Sequence, residues 1–340
     1  MSTQRPTMKD VAARSGVALK TVSRVVNGEP GVTQATADRV LAAIAELGFR
    51  RNESARLLRT GQTATLAFIA GQVADPDQAA LYRGLEEVAR EQGFLLYSGS
   101  TDDDEDREER LALALCARRV DGLVIVPTAG DHGYLAAEIQ AGVATVFALR
   151  PPEPAGLGDV VVADEPGGAK QAVAHLIAHG HRRIGYLGQP GGPDPQDTLA
   201  AYRSRRLALG YAEAMAAAGL PADERWLSLT PGTVPGAGVT AVFCGGKAHT
   251  AQALHALAAA GQGADAAHPG RVAVIGFGDF ELAGLVPPGI TVVSYDPARI
   301  GRTAGELLPR RLAGDRGPPR LAELPVTLIP RGSAEFPPPD

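Results

Sequence analysis

Two stretches carry residue types and spacings that could do chemistry. The first is Gly245-Gly246-Lys247, which ends the apolar run Val239–Cys244. Glycines between a strand and a helix let a ligand come close to the backbone, and a following lysine can pair with an anion. A phosphate loop of the G-x-x-x-x-G-K-[ST] kind needs glycine five residues before Gly246 and Ser or Thr after Lys247. Ala241 and Ala248 stand there, so that reading is set aside. The second stretch is Leu19–Val26, whose outward positions Lys20, Thr21, Ser23 and Arg24 are types that reach base edges and phosphates. His175, His179 and His181 have a spacing that could hold a metal. They close an Ala-rich helix with no carboxylate or thiol beside them, so no metal is expected. Neither a G-x-S-x-G elbow nor a paired acid and base stands out. Catalysis and a cofactor are therefore not expected.

The elements that must position these residues fall into two regions. Residues 1–62 carry ten Lys and Arg against five Asp and Glu, and the remainder carries 23 against 33, within a net charge of −5. A basic segment on an acidic body suggests a local polyanion-binding module. Its pattern is three short helices. Met8, Val11 and Ala12 share the first face, which Gly16 interrupts. Leu19–Val26 follows, with Val22, Val25 and Val26 inward and a stop at Asn27-Gly28. Thr33 opens the third, with Val40, Leu41, Ile44 and Leu47 at helical spacing and Gly48 at its end. Helix, glycine turn, helix is the helix-turn-helix layout, in which the second helix enters the major groove.

From Thr63 onward, apolar strand-like runs alternate with helical stretches: 66–70, 94–98, 122–126, 144–149, 183–188, 239–244 and 272–277. Continuous apolar runs separated by helices imply parallel sheets covered on both faces. They are too many for one ordinary sheet. Two doubly wound lobes are expected, with a ligand in the cleft at the strands' carboxyl ends. Cys116 and Cys244 are too few for a disulfide framework and are read as packing residues. The first ten residues lack the apolar core of a signal peptide, and no apolar run approaches the length of a membrane span. The expected location is the cytoplasm, on the nucleoid when bound to DNA.

The stretch MKDVAARSGVALKTVSRVVNG resembles the DNA-binding segment of the lac repressor (LacI-type) family. Asp10-Val11-Ala12, Gly16-Val17, Thr21 to Val25 and Asn27 carry the likeness. The resemblance implies that Leu19, Lys20 and Arg24 read bases and that Thr21, Ser23 and Asn27 contact phosphates. Ala18 departs from the family, which usually places a capping serine there; losing that cap costs about 1 kcal/mol. Residues 50–62, RRNESARLLRTGQ, resemble the family's hinge helix, with Asn52, Ala55, Arg56 and Leu58 at the matching positions. There a leucine wedges into the minor groove. Arg51 stands where the family commonly has proline.

The likeness continues through CARRVDGL (116–123), HLIAHGHRRIGYLG (175–188) and VIGFGDFELAG (274–284). It implies an α/β two-lobed periplasmic-binding-protein-like core of two doubly wound parallel sheets, with three crossings between lobes, behind the N-terminal all-α helix-turn-helix domain. The expected domains are 1–49, the linker 50–62 and the core 63–340. Lobe 1 is placed at about 63–160 plus 292–322, and lobe 2 at about 161–291 plus 323–340.

The family's cleft positions are occupied unusually. Asp77 and Gln78 replace an aromatic pair, and Gly246 and Lys247 replace an Asn-Asp pair. Gly278, with Asp279 next, replaces an aspartate. Leu207 replaces an arginine, with Arg205 and Arg206 adjacent, and Arg150 matches a common family arginine. A cation replacing a carboxylate favours an anionic effector such as a sugar acid or phosphorylated sugar. GFGDFELA also resembles the gluconate-responsive branch of the family. The expected protein is a homodimeric, effector-controlled regulator, a repressor, on a palindromic double-stranded operator. The tail RGSAEFPPPD has no leucine heptads for a tetramer. The rival is a solute-binding protein of the same core fold with no DNA role; the recognition-helix motif and the missing signal peptide argue against it.

Overall fold

A computed structural model describes residues 6–49, 62–188, 199–221, 223–227, 229–263, 271–285 and 287–339. The chain divides into two compact units, Met1–Thr63 and Ala64–Asp340. In the first unit α1 is Met8–Ser15, α2 Leu19–Asn27 and α3 Gln34–Leu47. Gly16, Gly28 and Gly48 end the three helices in the left-handed region, where glycine has no Cβ penalty. Val11, Val22, Val40, Ala43 and Phe49 form the buried centre. The inward stripe of α3 is 40, 43, 44 and 47. Leu41, expected inward, lies about 100° off that stripe and is 52% exposed.

The second unit runs β1 Thr65–Ala70, α4 Pro76–Glu91, β2 Leu95–Ser100, α5 Glu105–Ala117, β3 Gly122–Ile125, α6 Ala136–Ala141, β4 Ala144–Ala148 and β5 Asp159–Ala163. It continues α7 Glu165–Ala178, β6 Ile184–Leu187, α8 Leu199–Ala217, α9 Glu224–Leu227, β7 Ala241–Cys244, α10 Lys247–Ala259 and β8 Ala273–Phe277. The last elements are β9 Thr291–Ser294, α11 Pro297–Leu312, β10 Leu321–Leu324 and β11 Thr327–Ile329. One sheet has the order β10-β5-β4-β3-β1-β2 and the other β11-β9-β8-β7-β6. Every pairing is parallel except β11 with β9. The inner strands β1, β3, β4, β7 and β8 are buried throughout, which explains their unbroken apolar text.

The chain passes between lobes after β5, after β9 and after β10. These crossings fall two to three residues from the divisions read from sequence. β5 and β10 lie wholly in lobe 1, and β9 lies in lobe 2. The turn chemistry sets these points. Asp164 and Asp296 follow β5 and β9 and cap the next helices, accepting from Gly167 N at 2.7 Å and Arg299 N at 3.0 Å. Each is followed by a proline in the first helical turn. β10 is an exposed edge whose LAEL text has no apolar run to announce it. Both cysteines are buried; burial pushes their thiols up to about 11 for Cys116 and about 12 for Cys244. Among the described residues no helix is long and apolar enough to cross a membrane.

Candidate functional site

In the first unit, Val22 anchors α2 to the helices on either side and turns the opposite face outward. Leu19 is 45% exposed, Lys20 is exposed, and Thr21, Ser23, Arg24 and Asn27 are half-buried. Asn27 Nδ2 donates to Ser23 Oγ at 3.3 Å and to Glu29 Oε1 at 3.0 Å, which ties the end of the helix to the turn after it. Ala18 is the N-cap and supplies no side-chain bond. By contrast, the Asp10 carboxylate at the start of α1 accepts from both the amide and the hydroxyl of Thr7 at 2.7 Å. The expected hinge positions Asn52, Ala55, Arg56 and Leu58 lie outside the described residues.

In the second unit, the helices after β1 and β7 bring Asp77 and Lys247 together across the two lobes. Asp75 caps α4, accepting from Asp77 N at 2.8 Å, and so fixes Asp77 in the first turn. Lys247 opens α10, and its Nζ donates to Asp77 Oδ1 at 2.6 Å. Tyr295, just past β9, donates its hydroxyl to Asp77 Oδ2 at 2.7 Å. Arg203 of α8 donates to the same hydroxyl at 3.0 Å. Its guanidinium lies 4.9 Å from the Tyr295 ring centre and 6.0 Å from that of Phe277, and those two rings stack on each other. Arg203 Nε is buried with no hydrogen-bond partner among the described residues. Burial and the neighbouring carboxylate push the Tyr295 phenol well above its ordinary range, so it remains a donor, with the Arg203 charge opposing them.

The two glycines before Lys247 do different things. Gly245 sits against the hydroxyl of buried Tyr186, which would collide with any Cβ there. That hydroxyl bonds the Ser204 carbonyl at 2.9 Å, so the tyrosine is fixed in place. Gly246 meets nothing closer than His249 Nδ1 at 3.6 Å. Gly278 has φ +87°, and a Cβ on it would lie 3.0 Å from Lys247 Cε. The lysine stem thus covers the position where the family carries an aspartate. Asp279 is engaged by Arg331, which grips it with two bonds of 2.7 Å and holds its carboxyl below the usual range.

The other residues singled out from sequence are scattered. Gln78 is buried and accepts from Gln72 N at 3.2 Å, bracing the loop after β1. Arg150 is buried and sits 5.4 Å from the Tyr202 ring centre, linking the end of β4 to α8. Arg205 is exposed on α8. Arg206 bonds Glu165 at 3.1 Å and Glu323 at 2.9 Å. Leu207 is fully buried, and the cation beside Tyr295 is Arg203, one helical turn earlier on the same face. Sequence reasoning missed Arg203 and Tyr295; the i−4 spacing from Leu207 was the available signal for the first. The rings of His175 and His179 lie 4.5 Å apart, and each of the three histidines has its own bond. His175 bonds Glu335 at 2.6 Å, His179 bonds the His175 carbonyl at 2.9 Å, and His181 bonds Thr240 at 3.1 Å and the Phe336 carbonyl at 2.9 Å.

Comparison with known proteins agrees with this layout. Residues 7–52 match the family described as bacterial regulatory proteins, lacI family. Residues 173–334 match a periplasmic binding protein-like domain. The chain is 33% identical to the HTH-type transcriptional regulator CelR of Thermobifida fusca, over 97% of this chain and 98% of that one. The structure of a CelR–cellobiose complex is similar at 30% identity and a TM-score of 0.62, covering 97% of this chain and all of that chain (100%). The lac repressor dimer bound to operator and the anti-inducer ONPF shares the fold at 22% identity and a TM-score of 0.80, covering 97% and 99%.

Proposed function

The chain belongs to the lacI family of bacterial regulatory proteins, and from that premise we propose that it is a dimeric repressor whose hold on a two-fold symmetric operator is set by an anionic sugar derivative bound between its lobes. It is a DNA-binding transcriptional regulator with a helix-turn-helix domain and a periplasmic-binding-protein-like core. In this reading α2 enters the major groove, Leu19, Lys20 and Arg24 meet base edges, and Thr21, Ser23 and Asn27 meet phosphates. Ala18 offers no oxygen to the first-turn amides of α2, which leaves them for a DNA phosphate. Asn52, Ala55, Arg56 and Leu58 form the hinge that enters the minor groove.

The sugar class is supported by the relative whose structure is a complex with cellobiose. The anionic character rests on one observation: Lys247 and Tyr295 together hold a carboxylate, at 2.6 and 2.7 Å. Where the family places carboxylates this chain has Lys247 and Gly278, and the neighbouring Asp279 is neutralised by Arg331. A gluconate-like acid is the best-fitting class, because a cationic seat beside aromatic faces suits a polyhydroxy carboxylate. Titration calorimetry with D-gluconate and with neutral hexoses tests it. The expected result is binding of the acid, lost in Lys247→Ala. Binding of neutral sugars alone, unchanged by Lys247→Ala, overturns it.

A further inference from the structure

The carboxylate seated at Lys247 and Tyr295 belongs to the chain itself. Asp77 is carried by α4 of lobe 1, whereas Lys247 and Arg203 are carried by helices of lobe 2. Tyr295 sits where the chain leaves β9 for α11. Both oxygens of Asp77 are taken, one by the ammonium and one by the phenol. Arg203 reaches this carboxylate only through the Tyr295 hydroxyl, and its buried Nε is left without a partner among the described residues. The short aspartate side chain thus fills the near part of the seat and leaves an arginine donor beyond its reach. A buried donor without a partner is costly, so the seat is better matched by a larger anion.

We propose that Asp77 is a tethered competitor, a built-in carboxylate that latches lobe 1 to the cationic seat of lobe 2 and that a polyhydroxy carboxylate must displace to bind. This rests on the reading above that the effector is anionic. A side chain held beside its partner acts at an effective concentration of order millimolar, so it raises the ligand concentration needed for occupancy. Displacement breaks the latch between the lobes, so ligand binding and lobe arrangement are coupled through one carboxylate. Lys247 is the shared partner in both states. Its stem is already laid along Gly278, so it need not move to change partners.

The test uses the full chain with Asp77→Ala, Asp77→Asn, Lys247→Ala and the double variant Asp77→Ala/Lys247→Ala. In calorimetry the proposal expects Asp77→Ala to bind D-gluconate about tenfold more tightly than wild type, with Asp77→Asn in between. Equal or weaker binding by Asp77→Ala overturns the competition and leaves the anionic reading standing. Binding of D-glucose but not D-gluconate by wild type and Asp77→Ala alike overturns both. The latch is read separately from melting temperatures without ligand. Each single variant is expected to lower the melting temperature by about 2 °C, and the double variant by no more than either. Additive losses overturn the latch whichever ligand the cleft takes.

Discussion

The outward face of α2 and the interior of the core use polar side chains in opposite ways. On α2, Leu19 and Lys20 stand exposed and the support comes from the buried side, through the packing of Val22. In the core, Asp77 is held by Lys247 and Tyr295, Asp279 by Arg331, and Glu335 by His175 and Thr291. The first arrangement keeps donors available for a long polyanion that arrives from solvent. The second satisfies charges internally, so a ligand must exchange with a bond that already exists. The difference predicts that removing a charge from the core costs stability, whereas removing one from α2 costs only DNA binding.

The largest expected effect is at Glu335. Burial alone would raise this carboxyl, but bonds from His175, Thr291 and the Gly332 and Ala334 amides outweigh it and pull it from 4.5 to about 2. A folded-state value below the unfolded one adds stability above about pH 4.5, and this is lost as pH falls toward 2. The shift corresponds to about 3 kcal/mol. Denaturant titration of Glu335→Gln at pH 7 should show a loss of that order, vanishing near pH 2. A loss that does not depend on pH would break the comparison on the core side. On the α2 side, Arg24→Ala should weaken specific operator binding by about 1–3 kcal/mol and leave the unfolding curve unchanged. If it unfolds the domain instead, Arg24 is structural and the contrast fails.

The paired glycines sharpen the comparison within the cleft. Gly245→Ala would drive a methyl into the Tyr186 hydroxyl and should cost about 1–3 kcal/mol, while Gly246→Ala should be near neutral. Equal thermal shifts for the two would contradict the close approach. The smallest effect is expected from Ala18→Ser, which restores a side-chain cap to α2 and should stabilise the N-terminal unit by about 1 kcal/mol. No gain in its thermal unfolding would mean that the first-turn amides are already satisfied.

Local signals were legible in the sequence, and distant pairings were not. Gly16, Gly28 and Gly48 mark helix ends because each needs a left-handed backbone that only nearby residues determine. The buried strands announce themselves because both faces must be apolar. The lobe divisions were readable only to within a few residues because β10 is an exposed edge and β5 begins with a charged residue, Asp159, that pairs with Arg311 at 2.7 Å. Arg203 and Tyr295 were missed because neither sits in a motif; their meeting depends on α8 and the end of β9 converging in space. The pairing of Asp279 with Arg331 was not legible because the two lie 52 positions apart.

Selection of duplexes from a randomised DNA pool by the full chain, at about 150 mM salt, tests the central claim most directly. The account predicts enrichment of a two-fold symmetric site, bound at least about 10³-fold more tightly than a scrambled duplex, with that preference reduced in Arg24→Ala. Recovery of no common sequence, with all duplexes bound alike, would contradict it.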